Sequence, residues 1–182
     1  MGKMLYLQLI ALFVVTQVLG LYVGHALLKE NIAATIVTEN KEDLENSVGL
    51  FAYILVFTAI LLVVIKFAPE WVKFLIFKIF ETMAIFFSSV IVLAAFIESD
   101  IVFVAGIMIV IAKNVWSSNI ALRNMTAIIS TAGAGALLGA SLGIMPVVLF
   151  MVMLSAYDFV AVFKTKHMVT LAKKLTKQDG AF

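Results

Sequence analysis

The chain has 182 residues, of which 64% are hydrophobic and 13% are charged, and its formal net charge is +2. This composition is far more apolar than that of a globular domain, so we expect a polytopic membrane protein. There is no cysteine, and His25 and His167 are the only histidines, so a disulfide framework, a metal site and a cofactor are not expected. No basic patch is interleaved with aromatic residues, which argues against a nucleic-acid partner.

Six apolar segments each predict a membrane-spanning helix, because about 20 apolar residues cross the hydrocarbon of a bilayer. They are residues 4–27, 47–67, 71–97, 101–116, 119–142 and 144–163. The first segment is too long for a signal-peptide core and lacks a clear cleavage site, so we interpret it as a retained helix. The fold prediction is therefore all-α, a transmembrane bundle of about six helices in one domain, 1–182.

Basic residues in the short connections predict the orientation of this bundle. The side that carries Lys3 also receives Lys66, Lys73, Lys113, Arg123 and the lysines of the tail. The acid-rich loop 29–46 falls on the opposite side. We therefore predict that both termini are cytoplasmic. Residues 164–182 then form a basic cytoplasmic tail, which either anchors this orientation or binds a specific lipid or substrate.

Asp158 lies inside the last apolar segment, which reads IMPVVLFMVMLSAYDFVAVF from Ile144 to Phe163. An ionisable side chain at membrane depth costs roughly 2.5–3.5 kcal/mol on insertion scales, so it usually marks a functional site. The alternative is structural, because a protonated aspartate can hydrogen-bond to a neighbouring helix. Asp158 is therefore the first candidate for chemistry, and Tyr157 precedes it directly.

An acid in the third segment and a glycine repeat in the fifth are two other candidates for function, and each has a simpler structural interpretation. Glu81 lies in the third segment, and Lys78, three residues earlier, can pair with it on the same helix face. In the fifth segment and its end, Gly135, Gly139 and Gly143 recur every four residues, which predicts a small-residue face for helix packing.

Residues 123–173 resemble the fifth and sixth transmembrane helices of the presenilin and signal peptide peptidase class of intramembrane aspartyl proteases, and most closely its archaeal presenilin-type members. The resemblance rests on GAGALLGASLGIMP, from Gly133 to Pro146, and on SAYDFVAVFKTKHMVTLA, from Ser155 to Ala172. In that family a Tyr-Asp motif carries one catalytic aspartate, which corresponds here to Asp158. Tyr157 then either borders the substrate cleft or packs as an ordinary aromatic residue.

The family's second catalytic aspartate belongs to a Gly-x-Gly-Asp motif in the seventh helix, and a Pro-Ala-Leu motif in the ninth helix shapes the site. Neither motif occurs in these 182 residues. The resemblance thus implies the amino-terminal part of a nine-helix protease, whose partners are a carboxy-terminal part with both motifs, a transmembrane-helix substrate and the lipid bilayer.

Two other functions stay open on sequence grounds. The first is a proton- or cation-coupled transporter or channel that uses Asp158, with Glu81 as a second station. The second is a non-catalytic membrane scaffold whose glycine face recruits a partner. All three functions place the chain in a membrane as a multi-pass protein, which is the cell membrane if the source is prokaryotic.

Overall fold

The computed structural model describes residues 2–97 and 99–164. Within these ranges the chain forms six α-helices and no β-strand, which confirms the all-α prediction. In chain order they are α1 Gly2–Lys29, α2 Leu44–Phe67, α3 Glu70–Ala94, α4 Ile101–Val115, α5 Ile120–Ser141 and α6 Ile144–Phe159. A π-helical turn, Val160–Lys164, follows α6. The predicted basic tail beyond residue 164 lies outside the described residues.

Four of the segments within the described residues are long and apolar enough to cross a membrane: Tyr6–Lys29, Leu44–Phe67, Glu70–Ala94 and Ile144–Phe163. These segments make the chain an integral, multi-pass membrane protein. Helix α4 is apolar but has 15 residues, and at 1.5 Å per residue it spans about 22 Å, less than the roughly 30 Å of hydrocarbon. Helix α5 has 22 residues, many of them small or polar. The crossing of α4 and α5 and the cytoplasmic location of the termini stay predictions.

The helix ends follow from local sequence. The side chain of Asp43 caps α2 by accepting a hydrogen bond from the N–H of Glu45 at 3.0 Å. Pro69 separates α2 from α3, and the residue before it, Ala68, is extended as expected before proline. Pro146 lies in the first turn of α6, where its missing N–H costs no helical hydrogen bond.

The chain divides into two compact units, which are residues 1–34 with 79–140 and residues 35–78 with 141–182. The first unit contains α1, α4, most of α5 and the later part of α3. Its apolar core is formed by small and branched side chains from three of these helices: Val23, Leu27, Val92, Ala136 and Ala140. The alanines let the backbones of α1 and α5 approach closely, as small residues do in membrane helix pairs.

The second unit contains α2, the start of α3, α6 and the loop that precedes α2. Helices α2 and α6 pack against each other. The hydroxyl of Ser47, in the first turn of α2, donates a hydrogen bond of 2.6 Å to the carbonyl oxygen of Pro146, in the first turn of α6. The two helices therefore begin at the same end of this unit. Asp158 lies toward the other end of α6.

Candidate active site around Asp158

Asp158 is the last residue but one of α6 and belongs to the membrane-spanning segment Ile144–Phe163. Its side chain is exposed, so the chain's own side chains leave the carboxyl accessible. Among the described residues no hydrogen bond or ion pair holds this carboxyl. An acid that only joined two helices would have its oxygens bonded to a neighbouring helix. The geometry therefore leaves Asp158 available for a ligand, a water or a second carboxyl.

The backbone changes its hydrogen-bonding pattern directly after Asp158. The N–H of Val160 is shared between the carbonyl oxygens of Ala156 and Tyr157, and the chain continues as the π-helical turn Val160–Lys164. Such π-helical turns are rare, and they occur often at functional sites because they re-aim side chains and free backbone groups. Nothing in the composition of residues 155–164 distinguishes this turn from an ordinary helix, so the sequence did not predict it.

Tyr157 is half-buried and does not project freely from α6. Its ring meets the ring of Phe51, from α2, edge to face, with the centroids 6.1 Å apart and the planes at 83°. This is a favoured aromatic geometry, worth about 0.5–1.5 kcal/mol beyond the buried area. The contact orients the residue next to Asp158 and links the candidate site to α2. Its role in a substrate cleft stays a prediction.

Glu81, the second acid inside an apolar segment, forms an ion pair with Lys113 of α4. The side chain of Lys113 is 10% exposed and that of Glu81 is 30% exposed. The sequence predicts a structural ion pair between Glu81 and its neighbour Lys78, which stays a prediction, and the structure places a cation from another helix on Glu81. Lys113 is the only charged residue in the apolar sequence of α4, and that isolated charge is the sequence feature that indicates an acidic partner. This pair ties α3 to α4 within the first unit.

The glycines of α5 differ in how closely neighbouring helices approach them. A Cβ built at Gly135 or Gly139 meets no atom within 4 Å, whereas one built at Gly133 lies 2.5 Å from the carbonyl oxygen of Ser88 in α3. At Gly20, in α1, a built Cβ lies 3.6 Å from the carbonyl oxygen of Ala132, which is an ordinary van der Waals contact. The predicted packing role of Gly135 and Gly139 stays a prediction.

Within the second unit, Gly143 precedes α6 and lies beside the loop that precedes α2. A Cβ built there would overlap the carboxyl group of Glu42, which is the end of a flexible side chain. The open side of Gly135 and Gly139 faces a groove of about 580 Å³ between α1 and α5. His25 lines this groove, and His167 lies outside the described residues.

These observations define a multi-pass helical membrane protein with an accessible carboxyl in its last described membrane-spanning segment. Residues 10–179 match the model of the family described as signal-peptide peptidase, presenilin aspartyl protease. Because the match covers almost the whole chain, the chain belongs to this family, as the resemblance of α5 and α6 implied. The comparisons with curated proteins and with solved structures gave no match.

Proposed function

We propose that this chain supplies one of the two catalytic aspartates of an intramembrane protease, and that Asp158 is that aspartate. The observation that carries the proposal is the contrast between the two acids inside predicted spans. Glu81 is held in an ion pair with Lys113, whereas the carboxyl of Asp158 is exposed and unbonded within the described residues. Membership of an aspartyl protease family supports the same assignment.

The chemistry needs a second carboxyl, because two carboxyls that share one proton divide the acid and base roles between them. The carboxylate removes a proton from a water molecule as the water oxygen attacks the peptide carbonyl carbon, and the carboxylic acid gives its proton to the carbonyl oxygen. When the tetrahedral intermediate collapses, the newly protonated carboxyl gives its proton to the amide nitrogen and the C–N bond breaks. The other carboxyl takes a proton from a hydroxyl of the intermediate. The products are a carboxyl and an amine, and the pair again holds one proton.

We propose that the second carboxyl belongs to a Gly-x-Gly-Asp segment, as the family pattern implies, and that a Pro-Ala-Leu segment lies beside it. The substrate in this proposal is a transmembrane helix. Its peptide bonds are shielded by helical hydrogen bonds, so the helix must unwind locally before water can attack. An unwound stretch can then bind as an added strand, which satisfies its backbone groups within the membrane.

The transporter is the second candidate, and the pairing of Glu81 with Lys113 argues against it. A carboxylate that carries a transported proton or cation must bind and release that ion during each transport cycle. In the structure the Glu81 carboxylate already has a cation from α4. Proton flux into liposomes that is lost in Asp158→Asn, in the absence of any proteolysis, would reverse this ranking.

The test is cleavage of a single-span substrate by the protein purified from membranes together with the polypeptides that accompany it. Asp158→Asn preserves size and removes the titratable oxygen, so we expect cleavage to be abolished. Asp100→Asn is the matched control, because Asp100 precedes α4 without a side-chain capping hydrogen bond, and we expect it to cleave as the unaltered protein does. Turnover by Asp158→Asn would reject the catalytic assignment.

A further inference from the structure

One fully buried amide at the start of α2 organises the loop before that helix. Asn46 is 1% exposed. Its side-chain oxygen accepts hydrogen bonds from the N–H groups of Val37 and Thr38, both at 2.9 Å. Its NH₂ group donates to the hydroxyl of Thr38 at 3.1 Å and to the carbonyl oxygen of Asn40 at 2.9 Å. An amide side chain has two donor and two acceptor positions, so all four are used and the loop is fastened to the first turn of α2.

The loop held by Asn46 and the residue after Asn46 both bond to the start of α6. The N–H of Gly143, the residue before α6, donates to the carbonyl oxygen of Lys41 at 2.7 Å. The hydroxyl of Ser47, which is 0% exposed, donates to the carbonyl oxygen of Pro146 at 2.6 Å. Two hydrogen bonds therefore attach the first turn of α6 to the first turn of α2 and to the loop before it.

These bonds fix the position of α6 along α2. Apolar contacts between membrane helices are weakly selective, because lipid tails are as apolar as the side chains. A hydrogen bond is directional, and the bond of Ser47 would exceed hydrogen-bond distance if it lengthened by about 1 Å. Hydrocarbon cannot satisfy a hydroxyl that has lost its acceptor. The bond of Ser47 therefore opposes a slide or a rotation of α6 against the first turn of α2.

Asp158 is carried by the same helix. It follows Pro146 by twelve residues, and α6 is continuous between them. The distance along the helix is about 18 Å at 1.5 Å per residue. Because the helix is unbroken, a slide of its first turn carries Asp158 with it. The hydrogen bond between Ser47 and Pro146 thus bears on the depth of this carboxyl in the membrane.

We propose that Ser47 is a positioning residue that sets the depth of Asp158 and thereby selects which peptide bond of the substrate is cut. The selection rests on the proposed function, whereas the placement of α6 follows from the contacts of this chain. An unwound substrate rises about 3.3 Å per residue. A slide of α6 by one residue, about 1.5 Å, would bring the carboxyl nearly halfway to the neighbouring peptide bond.

The experiment compares the cut sites that the purified assembly makes in a single-span substrate, identified by mass spectrometry of the products. Ser47→Ala should raise the share of cuts at neighbouring peptide bonds by about two- to tenfold, the usual effect of one hydrogen bond on an equilibrium. Ser47→Thr keeps a hydroxyl and should return the ratio of cut sites toward that of the unaltered protein. This ratio does not depend on how much of the protein is folded, so a substitution that only destabilises would leave it unchanged.

Ser89→Ala is the matched control. Ser89, in α3, is also 0% exposed, but its hydroxyl has no hydrogen-bond partner within the described residues. The substitution removes the same group at the same burial without breaking a hydrogen bond, so the cut sites should be those of the unaltered protein. Equal cut-site ratios in Ser47→Ala and Ser89→Ala would overturn the proposal.

A distance measurement tests the placement of α6 without proteolysis. The chain has no cysteine, so spin labels can be attached at Val63→Cys in α2 and Val152→Cys in α6, whose side chains are 56% and 62% exposed. Pulsed electron paramagnetic resonance of the full chain in liposomes gives the distance distribution between them. We expect this distribution to be displaced or broadened by Ser47→Ala and unchanged by Ser89→Ala.

The two measurements separate this proposal from the proposed function. A displaced distribution in an assembly that cuts nothing would reject the proposed function, and with it the selection of a peptide bond, while the placement of α6 by Ser47 would stand. A displaced distribution with unchanged cut sites would overturn the selection alone. The same distribution in Ser47→Ala and in the unaltered chain would overturn the placement itself.

Discussion

Gly133 offers a prediction whose size follows from the contact between α3 and α5. A Cβ at this position would lie 2.5 Å from the carbonyl oxygen of Ser88 and 3.1 Å from its carbonyl carbon and Cα. These are backbone atoms, which no side-chain rotation can move. For Gly133→Ala the nearest contact must widen from 2.5 Å to at least 3.4 Å, where ordinary van der Waals contact begins. Such overpacking costs about 1–3 kcal/mol.

Gly135→Ala is the matched control, because it lies two residues further along the same helix and a Cβ there meets nothing within 4 Å. Both variants gain the same helix propensity, up to about 1 kcal/mol from glycine to alanine, so their difference isolates the steric cost. The assay is equilibrium unfolding in mixed micelles of rising dodecyl sulfate content, followed by tryptophan fluorescence. Gly133→Ala should be less stable than Gly135→Ala by about 1–3 kcal/mol. Equal stabilities would refute the close approach at Ser88.

Two further predictions concern charge. Lys113→Met removes the cation that pairs with Glu81, whose side chain is 30% exposed. It should lower stability in the same unfolding assay by about 1.5–3 kcal/mol, the usual contribution of a hydrogen bond to a charged group. The double reversal Glu81→Lys with Lys113→Glu should recover part of that loss, and a double variant no more stable than Lys113→Met would contradict the pairing. For topology, a membrane-impermeant thiol reagent should label Asn40→Cys from outside intact cells and leave Lys174→Cys unlabelled, and the reverse pattern would contradict the predicted orientation.

The helices were predictable because hydrophobic run length is a local property. Each membrane-spanning helix is an almost unbroken apolar stretch, and the polar loop 29–46 and Pro69 separate neighbouring helices. The helix ends also follow from local chemistry, as the side chain of Asp43 shows by capping α2. No knowledge of the packing was needed to predict an all-α membrane protein from these signals.

The contacts between helices were less predictable, because they depend on how each helix is rotated about its axis. Lys113, which pairs with Glu81, lies 32 residues away from it in the chain, so a search of the helix face around Glu81 does not find it. In α5 the repeat of glycines predicts close packing at Gly135 and Gly139. The closest approach to another helix's backbone is instead at Gly133, two residues before Gly135. Spacing alone does not say which side of a small-residue helix a neighbour uses.

Within the candidate site, the sequence identified Asp158 by its charge in an apolar run, and the family match supports the class of chemistry. The sequence could not indicate the ring contact between Phe51 and Tyr157, since it joins two distant segments. Nor could it indicate the π-helical turn, whose residues VAVFK would suit an ordinary helix. The buried amide of Asn46 was hidden for another reason, because asparagine near a helix start usually indicates only a cap.

The most direct test of the central claim is to identify the cleavage products that the purified assembly forms from a single-span substrate in heavy-oxygen water. We predict cut sites inside the substrate's transmembrane segment and one heavy oxygen in each new carboxyl, because water attacks the peptide carbonyl. With Asp158→Asn these products should be absent, while Asp100→Asn should give them unchanged. The same products from Asp158→Asn, or cut sites confined to the substrate's aqueous loops, would contradict the account.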